Sequence, residues 1–268
     1  MQEIVPVRVN LDLGNNLKLY VLSDTHIGDS HANINDLKKI INFIKDTPEC
    51  YCILLGDILN TALKNSKSDI YSETLSVAES QKLALELLMP IKDKIIAMTP
   101  GNHENRVWRE VGVDLSLWLA EKLGVQDKYR NNGIALTIQF GSDNNGRPYR
   151  LNVFGQHGSR GGRKLGSSMN ALEDMDNIIS NADIYIMGHT HQNLQGARKV
   201  FTFNENGNIS YQNKYYYNSP SVMTYGGYAY DKGYKPSDAT PTYLNIVPQC
   251  YRDGSKLVRY FKIDKIML

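Results

Sequence analysis

Five short apolar runs in this chain stop abruptly at small clusters of glycine, aspartate, asparagine and histidine, and that recurrence restricts the fold more than any other feature. Lys18–Leu22 halts at Ser23-Asp-Thr-His-Ile-Gly28, Tyr51–Leu55 at Gly56-Asp57, and Ile95–Met98 at Pro100-Gly-Asn-His-Glu-Asn105. Tyr149–Phe154 runs into Gln156-His-Gly158, and Ile184–Met187 into Gly188-His-Thr-His191. Runs this short and this apolar read as buried strands. Between the first two, residues 33–44 repeat apolar side chains at helical spacing, so strand, helix and strand alternate. Such alternation predicts parallel strands with crossover helices. Open sheets of that kind collect their ligand chemistry just beyond the strands' C-terminal ends.

The remaining pattern extends this frame. Residues 70–94 read as one helix that yields near Pro90, and residues 106–123 as another, with Trp108 and Trp118 packed in a core or groove. Residues 134–140 and 149–154 form strands around the polar turn Ser142–Gly146, which predicts an antiparallel hairpin. A helix is expected over 168–179. The last third is β-like, with an Asn206-Gly207 hairpin turn and eight tyrosines between Tyr211 and Tyr234. These tyrosines are expected to pack on an outer sheet, with base stacking as the alternative. No repeat, low-complexity linker or boundary interrupts the chain. One domain over 1–268 is expected, its motif blocks within 18–191 and a β-rich, tyrosine-rich part from 192 onward.

Composition bounds the partners. At 41% hydrophobic content the chain can bury one sizeable core. A net charge of +2 gives no general pull toward nucleic acid or an anionic membrane, so any basic steering must be local. No run is long enough to span a bilayer, and Met1-Gln-Glu-Ile-Val-Pro6 lacks a charged-then-apolar leader. Cys50, Cys52 and Cys250 are too few for a disulfide framework and read as small buried or edge residues. A cytoplasmic location is the expectation.

Five of the six histidines stand at strand ends, together with Asp24, Asp57 and Asn102. Asp24 and His26 are two apart and would leave an extended strand on the same side. A carboxylate beside an imidazole suits manganese, iron or zinc better than calcium or magnesium. Asn102 can offer a carbonyl oxygen to a metal while the adjacent His103 stays free to move a proton. Gly188-His-Thr-His191 sets two imidazoles on one side of a turn, as a metal pair needs.

Taken together, Asp24-x-His26, Gly56-Asp57, Gly101-Asn-His-Glu104, His157-Gly158 and Gly188-His-x-His191 resemble, in order and spacing, the five blocks of the calcineurin-like metallophosphoesterases. The resemblance implies an α/β fold, a four-layer αββα sandwich with a binuclear metal site at strand C-terminal ends. It places Asp24, His26 and His191 on one ion and Asn102, His157 and His189 on the other, with Asp57 bridging. His103 would bind no metal and would face the leaving group. The cofactors expected are two divalent ions, manganese first, with iron, zinc or magnesium as alternatives.

The chemistry stands on physical grounds as well. Two cations about 3.5–4 Å apart can share a bridging hydroxide and clamp an in-line displacement at phosphorus. Four neutral nitrogens and few carboxylates leave such a site net positive, which suits a phosphate. His103 would serve as general acid. The second block continues Ile58-Leu-Asn-Thr-Ala62, without the arginine of the protein-phosphatase branch and with Asn60 where an aspartate usually orients the catalytic histidine. The orienter of His103 is therefore open. The opening Ser-Asp-Thr-His-Ile-Gly resembles the nuclease and phosphodiesterase branches instead.

The expected activity is hydrolysis of phosphodiesters, DNA, RNA or nucleotides, by a metal-dependent phosphoric ester hydrolase. A phosphomonoesterase acting on small molecules or phosphoproteins is the alternative within the enzyme class. A catalytically silent scaffold is the alternative outside it, and the intact ligand set argues against that. Arg160, Arg163 and Lys164 lie in a glycine-rich loop directly after His157 and either contact substrate phosphate or form a solvated surface loop. His31 is read as a loop residue near the site, with no role.

Overall fold

A computed structural model describes residues 4–64, 66, 70–143, 145–160, 162, 164–203, 206–231, 233–253 and 256–268. In chain order, the first half runs β1 (Val7–Asn10), β2 (Leu17–Leu22), α1 (Ile34–Asp46), β3 (Cys50–Leu54), α2 (Val77–Leu88), β4 (Ile95–Met98), α3 (Asn102–Val111) and α4 (Leu115–Leu123). There follow β5 (Ile134–Phe140), β6 (Tyr149–Gln156), α5 (Leu165–Asp174), β7 (Ile184–Met187), β8 (Leu194–Phe203) and β9 (Ile209–Asn218). A short α6 (Gly227–Asp231) precedes the long hairpin of β10 (Thr242–Asp253) and β11 (Lys256–Met267).

The strands form two sheets, ordered β1-β5-β6-β7-β9-β8 and β11-β10-β2-β3-β4. β2, β3 and β4 are parallel, as are β6, β7 and β9, so the predicted chemistry-bearing ends all point one way within each set. β5 and β6 pair antiparallel as the hairpin pattern requires.

Period-two alternation explains the unbroken apolar runs. Along β2, Tyr20 and Leu22 face one core while Leu19 and Val21 face another. The first core lies between the five-stranded sheet and α1, α2, α3 and α4, the second between the two sheets, and the third between the six-stranded sheet and α5. The layering is αββα, as the resemblance implied. A strand buried on both faces has no polar side to show, so its sequence is continuous rather than alternating. Cys50 and Cys52 are buried, and burial pushes the Cys50 thiol up to about 12.

Two helix expectations need correction. Residues 70–94 hold a 3-10 turn at Ile70–Ser72, then α2, then a second 3-10 segment at Met89–Lys94. The restart comes from Ser76 and Glu79, which form a capping box and so begin a new helix at Val77. Residues 106–123 likewise divide, because Gly112 ends α3 in the left-handed region and Asp114 caps α4. α3 also begins earlier than expected, at Asn102. Trp108 on it is 55% exposed, against the expected packed position, whereas Trp118 does lie against the first core. Of the tyrosines on β9, Tyr217 packs between the sheets and Tyr216 beneath α5, while Tyr211 is exposed.

Candidate metal centre

Every strand-end block delivers its residues to one place. The turns after β2 and β3 run side by side, with the Asp24 amide donating to Gly56 O at 3.1 Å and the His26 amide to Asp57 O at 3.0 Å. Next to them, Gly56 and Gly101 pack backbone to backbone. A Cβ on Gly101 would lie 2.0 Å from Asp57 Oδ1, and one on Gly56 would lie 2.4 Å from Gly101 N. Only glycine allows the turns after β3 and β4 to approach this closely.

The backbone here is strained. Asp24, His26, Asp57, His189 and His191 all have positive φ, between 45° and 63°, with Thr61 the only other non-glycine residue to share this among the described residues. The left-handed region costs such residues on the order of 1–3 kcal/mol each, and that strain gathers where side chains must be aimed.

Three overlapping donor groups result: Asp24, His26 and His191; His26, Asp57 and His103; and Asp57, His157 and His189. His157 Nε2 lies 3.1 Å from both Asn102 Oδ1 and Asp57 Oδ2. Across the centre, His26 Nε2 faces His191 Nε2 at 3.2 Å. Asp24 Oδ1 lies 3.2 Å from His191 Nε2 and 3.8 Å from His26 Nε2, yet this buried oxygen accepts no hydrogen bond. Its neighbours approach it without donating along the bond direction. Donors about 2.0–2.2 Å from a shared ion stand roughly 3.0–3.5 Å from each other. An orphaned carboxylate oxygen within a ring of nitrogens at such separations fits a divalent ion well.

Second contacts fix which ring nitrogen is available. His157 donates from Nδ1 to Leu55 O at 2.8 Å, and His26 from Nδ1 to Asn60 Oδ1 at 3.2 Å. Each therefore turns Nε2 into the centre. His103 donates from Nδ1 to the Asn60 carbonyl at 2.6 Å, and its ring packs edge-on against His26 at 4.4 Å. The orienter that the sequence left open is thus the main chain of Asn60 and not its side chain. His103 Nε2 lies 3.7 Å from Asp57 Oδ2.

The charges agree with a cation site. Burial opposes ionisation of Asp57 and Asp24, but the imidazoles around them, His157 first for Asp57 and His191 first for Asp24, hold both carboxyls well below the usual range. Burial works against charge on His157 too, yet Asp57 and Asp24 push it up to about 10. Burial takes His103 down to about 3.

Several residues at the centre were given no role by the sequence. Glu104 is buried, and its carboxylate accepts from the amides of Asp57 at 3.1 Å, Leu59 at 2.9 Å and Gly101 at 2.9 Å. Its signal was its place at the third position of a helix beginning on glycine, where a glutamate turns back to cap. Glu73 and Asp29, which hold Asn60, had no such signal. In the basic loop, Arg160 is 71% exposed and ion-pairs with Asp174, Lys164 stands at the N-cap position of α5 without a side-chain hydrogen bond to it, and Arg163 lies outside the described residues. His31 accompanies Asp29, 3.3 Å from its Oδ1.

Comparison with known proteins adds the family. No curated protein matches the chain. Among solved structures, a conserved uncharacterised protein from Streptococcus pneumoniae TIGR4, titled a predicted phosphoesterase, is similar at 14% identity and a TM-score of 0.38, over 94% of this chain and 90% of that one. The family model for calcineurin-like phosphoesterases matches residues 17–193, a span that begins at β2 and ends just past His191. The chain belongs to the calcineurin-like phosphoesterase family and is a metal-dependent phosphoric ester hydrolase.

Proposed function

We propose that this chain hydrolyses phosphodiesters, in a nucleic acid or a nucleotide, with two divalent ions, manganese by preference. The observation that carries this reading is that Asp57 shares one donor group with His26 and another with His157 and His189, while His26 also groups with Asp24 and His191. Asp24, His26 and His191 would hold one ion, Asn102, His157 and His189 the other, and Asp57 would belong to both. Bound there, the ions would supply Lewis acidity toward phosphoryl oxygens and water activation near neutral pH. The whole chain would act as one unit.

The protein's own groups divide the remaining work. Asp57 Oδ1 accepts the His103 amide at 2.8 Å, which fixes its carboxylate relative to the start of α3. His103 would protonate the departing oxygen from Nε2, since Nδ1 is committed to Asn60 O. Without a substrate, burial keeps that ring neutral; an anionic phosphoester beside Nε2 would favour its protonated form. The diester preference is supported by the opening Ser23–Gly28 block and by the missing arginine of the second block.

The test is a substrate panel with Mn²⁺: bis-p-nitrophenyl phosphate, p-nitrophenyl phosphate, cyclic nucleotides, and single- and double-stranded DNA. Faster turnover of the diesters is expected. Turnover confined to the monoester would replace this reading with a phosphomonoesterase.

A further inference from the structure

We propose that Glu73, helped by Asp29, is a positioning residue that selects the tautomer of His26 through the amide of Asn60. This rests on the metal reading above. Asn60 is 1% exposed and makes contacts in three directions. Its Nδ2 donates to Glu73 Oε1 at 2.9 Å and to Asp29 Oδ2 at 3.2 Å. Its Oδ1 accepts from His26 Nδ1 at 3.2 Å, and its carbonyl accepts from His103 Nδ1 at 2.6 Å.

Donor and acceptor chemistry leaves the amide one orientation. Ionised carboxylates only accept hydrogen bonds, so the side of Asn60 that meets two of them must be the NH₂. The flipped amide would set three acceptor oxygens against one another in a buried space. With NH₂ held there, Oδ1 must face His26, and only the Nδ1–H form of that ring satisfies it. Nε2 is then left with its lone pair turned toward Asp24 and His191. A neutral imidazole can bind a metal only through the nitrogen that lacks the proton.

Glu73 is itself held firmly for this task. Its Oε1 also accepts the Ala62 amide at 2.6 Å, which ties down the turn carrying Asn60. Glu73 pairs with Asp29 as an isolated antiparallel bridge, and the Thr74 amide donates to Gly28 O at 2.7 Å. Gly28, at φ 113°, leaves room for the carboxylate: a Cβ there would lie 2.8 Å from Glu73 Oε2. Asp29 Oδ1 is taken by the His31 amide at 2.7 Å, so Oδ2 is the oxygen it offers to Asn60. A residue outside all five motif blocks thus aims a ligand within the first and steadies the carbonyl that holds His103.

The test uses the full chain and Mn²⁺ alone, with titration calorimetry for the two affinities and thermal melting alongside. Glu73→Ala should weaken one ion by about 10–100-fold, the size typical of lost outer-shell partners, and leave the other within a few-fold of the unsubstituted protein. Glu73→Gln keeps an accepting oxygen and should restore most of that loss. Asn60→Asp should harm the same ion, because it gathers three carboxylates, and Asn60→Asp with Glu73→Gln should recover part of it. Ring ¹⁵N spectra of Zn²⁺-loaded protein should show Nδ1–H on His26, lost in Glu73→Ala while His157 keeps its own.

The proposal is overturned if Glu73→Ala binds both ions as the unsubstituted protein does. It is equally overturned if the variant loses both ions together with its melting temperature, or if Glu73→Gln fails as badly as Ala. Unsubstituted protein that takes up no Mn²⁺ would instead strike the reading of the centre itself.

Discussion

The two halves of the centre are supported in different ways. Around Asp57 and His157 the support involves the main chain directly: Leu55 O holds His157, and the backbone amides of Asp57, Leu59 and Gly101 converge on the single carboxylate of Glu104. Around His26 it is a relay of side chains, Asn60 backed by Glu73 and Asp29, reached through turns with no regular structure. His191 on that side is also more open, its side chain 34% exposed against 4% for His157. Main-chain support comes with the strands and so accompanies the fold. A relay of side chains can be altered one residue at a time, which makes the His26 half the one that substitution can tune in small steps.

Asp57→Asn offers the harshest test, because the Asp57 carboxylate groups with His26 as well as with His157 and His189. Activity and both ions should be lost, beyond the 10–100-fold typical of outer-shell partners, with the far-ultraviolet dichroism unchanged. Two tightly held ions in that variant, seen by elemental analysis, would show that the halves are joined elsewhere.

His103→Asn should leave both halves loaded. Alkyl phosphodiesters should slow by roughly 10²–10⁴-fold, while nitrophenyl esters, whose leaving group needs no proton, change far less. Equal losses on both would remove His103 from the acid role.

Glu104 sharpens the contrast most directly. Glu104→Leu strands three buried amides at about 1–3 kcal/mol each, so urea unfolding should show a loss of at least ~3 kcal/mol. In variants that stay folded, the Mn²⁺ on the Asp57 and His157 side should weaken first, the reverse of the Glu73 result. A stability close to that of the unsubstituted protein would mean water or relaxation satisfies those amides.

The smallest effect is expected at Arg160 and Lys164 of the basic loop. Arg160→Ala with Lys164→Ala should change stability by less than ~1 kcal/mol, because the Arg160–Asp174 pair is exposed. If the loop grips a polynucleotide, DNA affinity of metal-loaded His103→Asn protein should lose about 0.7–0.9 of its log–log salt slope per contact removed. An unchanged slope would take these residues out of substrate binding.

The same contrast explains what could be read from the sequence. β4 and β7 fall where their apolar runs lie, Ile95–Met98 and Ile184–Met187, because a strand buried on both faces has an unmistakable composition. The residues after each strand were legible for the same reason, since a strand end fixes its neighbours in space. Glu73 was not, because it reaches Asn60 across an irregular turn that carries no periodic signal. The helix breaks at Ser76 and Gly112 carry no periodic signal, because apolar spacing continues across both while the stop and start rest on single capping residues. Edge strand β1 pairs with β5, more than a hundred residues away, a partnership no local pattern announces.

The centre also draws its donors from both sheets: Asp24, His26, Asp57 and Asn102 follow strands of one, and His157, His189 and His191 follow strands of the other. Where Asp24 and His191 share an ion, they close a loop of well over a hundred residues, a cross-link of the kind whose entropic benefit grows, slowly, with loop length. Such an ion would act as a clasp at one end of the sandwich, with the apolar seam between the sheets as its hinge. Chelation should then be felt as a mechanical change, an earlier parting of the two sheets at the clasped end, visible in amide exchange at β2 and β7 before it reaches β10.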